Sequence, residues 1–144
     1  MPARAIAKLD KNITFNVKVK DFPELIMDEP PEFHGDNNGP SSIEYLCVAI
    51  AGCQGTSFKF CLDKFDLELD DMTVIVEAEM HHVDENGRSM LRITDLHVKI
   101  DVELKNPEED EEDLLECFAV YKKYCVVSAS IINGIKMHID LDHS

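Results

Sequence analysis

Two long runs of alternating side chains constrain this chain more than any other feature. In the first, Leu67, Leu69, Met72, Val74, Val76, Ala78 and Met80 alternate with polar residues; in the second, Leu91, Ile93, Leu96, Val98, Ile100, Val102 and Leu104 do the same. Successive strand side chains point to opposite faces, so a period of two predicts two strands, each with one apolar face. Asp84-Glu85-Asn86-Gly87 joins the runs, and Asn-Gly readily adopts the positive φ angles of a tight hairpin turn. The period slips near Asp70-Asp71 and again at Thr94-Asp95, and each slip predicts a bulge or bend.

The flanking segments complete the pattern. Ile13, Phe15, Val17 and Val19 alternate within a stretch, Ala3 to about Asp28, that reads as strands with a turn at Leu9-Asp10-Lys11-Asn12. The loop from Pro30 to Pro40 is rich in turn formers, and Ser41 and Ser42 offer helix N-caps after it. From about Ser42 to Phe65 the apolar steps become three and four: Ile43, Leu46, Ile50, Cys53, Ser57 and Phe60 share one stripe, which predicts a buried helix. Its slim centre, Ala49, Ala51 and Gly52, leaves room for a close neighbour. Pro107 opens a second helix whose acidic run, Glu108 to Asp113, suits a helix N-terminus. Leu114, Phe118, Tyr121 and Cys125 follow at helical steps, with a break near Tyr124-Cys125 and a stop at Asn133-Gly134. Ile135, Met137, Ile139 and Leu141 predict a last strand. This order predicts an α+β fold, one domain over residues 1–144.

Composition narrows the function classes. The net charge of −15 repels phosphate backbones and anionic lipids, so neither nucleic acid nor membrane is an expected partner. No apolar run is expected to span a bilayer, and Met1-Pro2-Ala3-Arg4 leads into no signal-peptide core, so the expected location is cytoplasmic. The six histidines form no ligand spacing, and His81 and His82 point to opposite faces of a strand, so no metal is expected. The glycines form no phosphate loop and no GxSxG occurs, so no cofactor and no hydrolase elbow are expected.

Five cysteines remain: Cys47, Cys53, Cys61, Cys117 and Cys125. An odd number with no CxxC pair argues against a disulfide framework, a zinc ribbon and a thioredoxin motif. Cys47, Cys61 and Cys117 read as free buried thiols. Cys53 and Cys125 both sit on apolar helical stripes, and two readings stay open for them: inert core thiols, or a pair whose helices bring the sulfurs within bonding range.

Two segments resemble the OsmC/Ohr family of small cysteine-based peroxide-reducing proteins. Gly39-Pro40-Ser41-Ser42-Ile43-Glu44-Tyr45-Leu46 with Ala49-Ile50-Ala51-Gly52-Cys53 resembles the family's turn, glutamate-leucine helix start and small-residue run ending in cysteine. Lys123-Tyr124-Cys125-Val126-Val127-Ser128 is similar to its cysteine-proline-valine-serine segment, with Val126 in place of proline. The resemblance implies an OsmC-like α+β fold with antiparallel sheets, two central core helices and an intertwined homodimer. It implies that Cys53 is the nucleophile toward an organic hydroperoxide, that Cys125 is the resolving thiol, and that an external dithiol reductant closes the cycle.

The sequence also departs from the family. Peroxidase members carry a thiolate-holding arginine in the loop before the first helix, and Pro30 to Pro40 contains none. Only Arg4, Arg88 and Arg92 occur, which leaves Arg4 as the candidate substitute. Glu44 matches the glutamate of the wider OsmC-like group. These departures imply an alternative, a weakly active or non-catalytic redox sensor or small-molecule binding module.

Overall fold

The computed structural model describes residues 2–144. They group into two compact units, Met1–Val48 and Ala49–Ser144.

In the first unit, β1 (Ile6–Leu9), β2 (Phe15–Lys18) and β3 (Leu25–Met27) form an antiparallel sheet in that order. The first turn spans Lys11 to Thr14, two residues later than the expected turn at Leu9 to Asn12. The proline-rich loop is tied down by one buried carboxylate. Asp28 accepts from the Thr14 hydroxyl at 2.8 Å and from the backbone N–H groups of Glu29 at 2.8 Å and Asn38 at 3.1 Å. Burial works against its charge, but these donors outweigh burial and hold its pKa below the ordinary value. Only glycine fits at position 35, where a Cβ would lie 1.8 Å from the Glu29 carbonyl oxygen.

The helix α1 (Ser42–Lys64) begins in this unit with a reciprocal cap. The Glu44 N–H donates to the Ser41 hydroxyl, and the Ser41 N–H donates to the Glu44 carboxylate at 2.9 Å. This capping box satisfies two N–H groups that a helix start leaves without partners. By length and composition α1 is apolar enough to cross a membrane, contrary to the expectation above. In the second unit, however, its side chains Ile50, Gln54, Phe58, Cys61 and Leu62 are buried against protein. The buried stripe is rotated from the expected one: Phe60 is 64% exposed.

The rest of the second unit is the long hairpin of β4 (Leu69–Glu85) and β5 (Arg88–Leu104), followed by α2 (Pro107–Tyr121) and α3 (Val126–Asn133). Asn86 and Gly87 take φ of 55° and 81°, as the Asn-Gly signal requires. Both expected slips are present. The register shifts between Leu69 and Asp71, and again where Glu79 pairs Asp95 and Met80 pairs Ile93, leaving Thr94 unpaired. Without the second bulge, Ile93 would swing to the polar face. The close approach to α1 occurs at Gly55, where an added Cβ would meet Val74 at 3.5 Å, and not at Gly52.

Phe58, Cys61 and Leu62 of α1, Leu67, and Cys117 and Tyr121 of α2 make the core. Three α-helices form among the described residues, because the expected break near Tyr124-Cys125 separates α2 from α3: the chain turns through residues 122–124 and Cys125 is extended at φ −70° and ψ 107°. Cys125 therefore caps α3 and does not ride inside a helix. Gly134, at φ 81°, ends α3. The expected last strand is not formed. Ile135, Met137, Ile139 and Leu141 are 70–86% exposed, and among the described residues no neighbouring strand offers them a ladder.

Candidate functional site, a dithiol at the end of an apolar cavity

Cys53 is half-buried on the fourth turn of α1, and Cys125 is fully buried at the start of α3. Their Sγ atoms lie 2.9 Å apart, across 72 residues of sequence. The expected pair is therefore brought together, with both thiols free. The break after Tyr121 makes this possible. A continuous helix would have carried residue 125 onward along the α2 axis, whereas the turn through residues 122–124 aims its side chain back at α1.

A polar shell surrounds the sulfurs. Cys125 Sγ lies 3.3 Å from the Ser128 hydroxyl. The buried Gln54 amide donates to the same hydroxyl oxygen. Ser57, one turn beyond Cys53, lines the cavity described below. Burial pushes the Cys125 thiol up, but the hydrogen bonds from Cys53, Ser128 and Ser57 outweigh it, and its pKa falls below the ordinary value. Tyr121 moves the other way: burial, then the neighbouring Cys125 charge, push its phenol up. Gln54 had no motif to mark it. Its only signal is a long polar side chain directly after Cys53, in an otherwise apolar stretch.

On the far side of Cys53 lies a cavity of about 590 Å³. Cys53, Phe60, Phe65, Val120, Tyr124 and Val126 line it, with Lys64 its one basic side chain. Such a lining accepts an apolar group and brings it against the Cys53 sulfur.

The other candidates stand elsewhere. Glu44 belongs to the first unit, with its carboxylate engaged in the capping box and its pKa held down by the Ser41 N–H and hydroxyl. Arg4, in the same unit, is exposed ahead of β1. Cys61 and Cys117 are buried core thiols, with the Cys61 Sγ 3.6 Å from the Cys117 carbonyl oxygen. Burial, followed by the Cys61 thiol beside it, pushes Cys117 up to about 12. Residues that could hold a metal do occur. Glu79, His81 and Asp95 bring ligand atoms within 4.8 Å of one another on the exposed face of the hairpin. His81 acts there with a cross-strand carboxylate, an arrangement that spacing along one strand does not reveal.

A family model described as OsmC-like protein matches residues 35–140. No curated protein matches the chain. Solved structures share the fold. An OsmC-like protein from Mycoplasma pneumoniae is 14% identical, with 92% of this chain and 88% of that chain covered at a TM-score of 0.74. An organic hydroperoxide resistance protein OsmC from Legionella pneumophila is 18% identical, with 91% and 89% covered at 0.67. An organic hydroperoxide resistance protein from Elizabethkingia anophelis is 16% identical, with 90% and 88% covered at 0.61.

Proposed function

Because this chain belongs to the OsmC-like protein family, we propose that it is a thiol-dependent peroxidase that reduces organic hydroperoxides through Cys53 and Cys125. One observation carries the reading: two free thiols 2.9 Å apart at the end of an apolar cavity. The Cys53 sulfur attacks the O–O bond, the alcohol leaves, and Cys53 becomes a sulfenic acid. Cys125 then displaces hydroxide from that sulfur and forms the disulfide, and an external dithiol reduces it. The cavity lining favours a hydroperoxide with an apolar tail over hydrogen peroxide. Two of the similar structures are named organic hydroperoxide resistance proteins, which suits this substrate class. The chemistry also suits a cytoplasmic setting, where thiols are kept reduced.

Mixing reduced protein with tert-butyl hydroperoxide tests the reading. The expected result is loss of two thiols per chain, with one Cys53–Cys125 disulfide found by peptide mapping, and a slower reaction with hydrogen peroxide. Two thiols that stay reduced would sink it. They would favour a redox sensor or binding module, a reading supported by the lack of arginine between Pro30 and Pro40.

The working form proposed here is a homodimer. Met80, Leu91, Ile93 and Val98 on the apolar side of the hairpin remain 38–39% exposed, and the alternating apolar residues from Ile135 to Leu141 have no ladder. Surface of this kind is usually covered by a partner. Sedimentation equilibrium should return twice the 16.3 kDa chain mass; a single chain at micromolar concentration contradicts the dimer.

A further inference from the structure

On the polar face of the hairpin two carboxylates stand directly opposite each other, Glu79 on β4 and Asp95 on β5. Like charges so placed destabilise a strand pair, and a cation between them reverses the sign of that interaction. Basic side chains do not fill this role. β4 carries no lysine or arginine, and on β5 Arg92 pairs with Glu85 at 2.8 Å and Lys99 with Asp101 at 3.4 Å. Imidazoles flank the carboxylates instead. His81 is the next residue on the same face of β4, and His97 Nε2 lies 3.4 Å from the Glu79 carboxylate. The bulge assembles the group. Thr94 is its extra residue, and both the Thr94 hydroxyl and the Asp95 carboxylate turn toward His81. Thr94 Oγ1 lies 2.7 Å from His81 Nδ1, and the hydroxyl donates to the Glu79 carbonyl oxygen at 3.5 Å. With the hydroxyl proton so directed, Nδ1 carries the imidazole proton and Nε2 keeps a free lone pair. A ring held in this way by a second neighbour is the arrangement of a metal-ligating histidine.

We propose that Glu79, His81 and Asp95 form a site for a divalent first-row transition-metal ion, with His97 beside them as a fourth donor. Their ligand atoms already lie within 4.8 Å of one another. Tetrahedral bonds of about 2.0–2.1 Å place ligand atoms about 3.4 Å apart, so the donors close in by no more than about 1.5 Å. All three are exposed side chains with room to turn. Imidazole with carboxylate and no sulfur is a donor set for zinc or nickel(II). The chain's net charge of −15 raises the concentration of cations at its surface. The site lies on the face opposite Met80, Ile93 and Val98, the apolar side that the proposed homodimer covers, so it stays open to solvent in that assembly. A bound ion joins β4 to β5 where the bulge interrupts their ladder.

Nickel(II) chloride added to the reduced full chain, with the histidine rings followed by NMR, tests the site. The ion is paramagnetic and broadens the rings it touches. His81 and His97 are expected to broaden at the lowest nickel concentrations, before any other histidine except the adjacent His82. The dithiol can take nickel as well, so the location of the effect is read and not the number of ions bound. Cys53→Ser with Cys125→Ser should leave the broadening at His81 in place. Thr94→Val removes the group that orients the His81 ring and should weaken nickel binding about tenfold. Asp95→Asn and Glu79→Gln each remove a charged ligand and should weaken it further. The proposal is overturned if the His81 ring stays sharp until other histidines broaden, if the double cysteine variant loses the effect at His81, or if Asp95→Asn and Glu79→Gln bind nickel as the parent does.

Discussion

Cys53→Ser is expected to abolish hydroperoxide consumption, with a rate loss of at least ~1,000-fold, as befits removal of a nucleophile. Cys125→Ser should behave differently. Its Cys53 still faces the cavity, so one equivalent of hydroperoxide should be consumed and Cys53 should stop one oxygen atom heavier, as sulfenic acid. Stopped-flow consumption with intact-mass analysis separates the two variants. Equal multiple-turnover rates in parent and Cys125→Ser would remove Cys125 from the cycle.

Phe58→Ala should be the most damaging single change to stability. Phe58 is 2% exposed, and its ring lies 4.9 Å from Tyr121 and 6.3 Å from Phe118, so it joins α1 to α2. Truncating a core phenylalanine costs about 3–5 kcal/mol from lost transfer energy and the cavity left behind. Against a typical domain stability of about 5–15 kcal/mol, this consumes a large share. Chemical denaturation monitored by circular dichroism measures it. The second unit should lose stability while the parent's thiol reactivity is retained in whatever fraction stays folded. A loss below about 1 kcal/mol would mean that the contact between these helices carries little of the fold.

What could be read from the sequence follows from what is local. The hairpin was legible down to its two irregularities, because a bulge shifts the alternation of side chains at the place where it occurs. The helix boundaries were legible from Ser41, Pro107 and Gly134, since caps and breakers act within a turn. The cysteine pair was reachable through its two flanking motifs. The exposure of Phe60 was not, because Ile50, Gln54, Phe58 and Phe60 fall within a few helical steps and only the packed neighbours decide which face turns inward. Gln54 and Ser128 meet across 74 residues, a contact that no local pattern encodes. The C-terminal alternation looked like a strand, but a strand takes its form from a hydrogen-bonding neighbour and not from its own residues alone.

The stiffness of α1 also sorts the thiols. A sulfenic acid at Cys53 is reactive toward any thiol it can touch, and Cys61 lines the same cavity. The two lie eight residues apart on one rod, a rise of about 12 Å at 1.5 Å per residue. That span is far beyond the ~5.5 Å between Cα atoms that a disulfide requires. Cys61 cannot bend toward Cys53 without melting the helix, so the wrong bond is forbidden by a ruler built into the backbone. With Cys125 beside it and Cys61 held off along the helix, a sulfenic acid at Cys53 is directed to the Cys53–Cys125 bond.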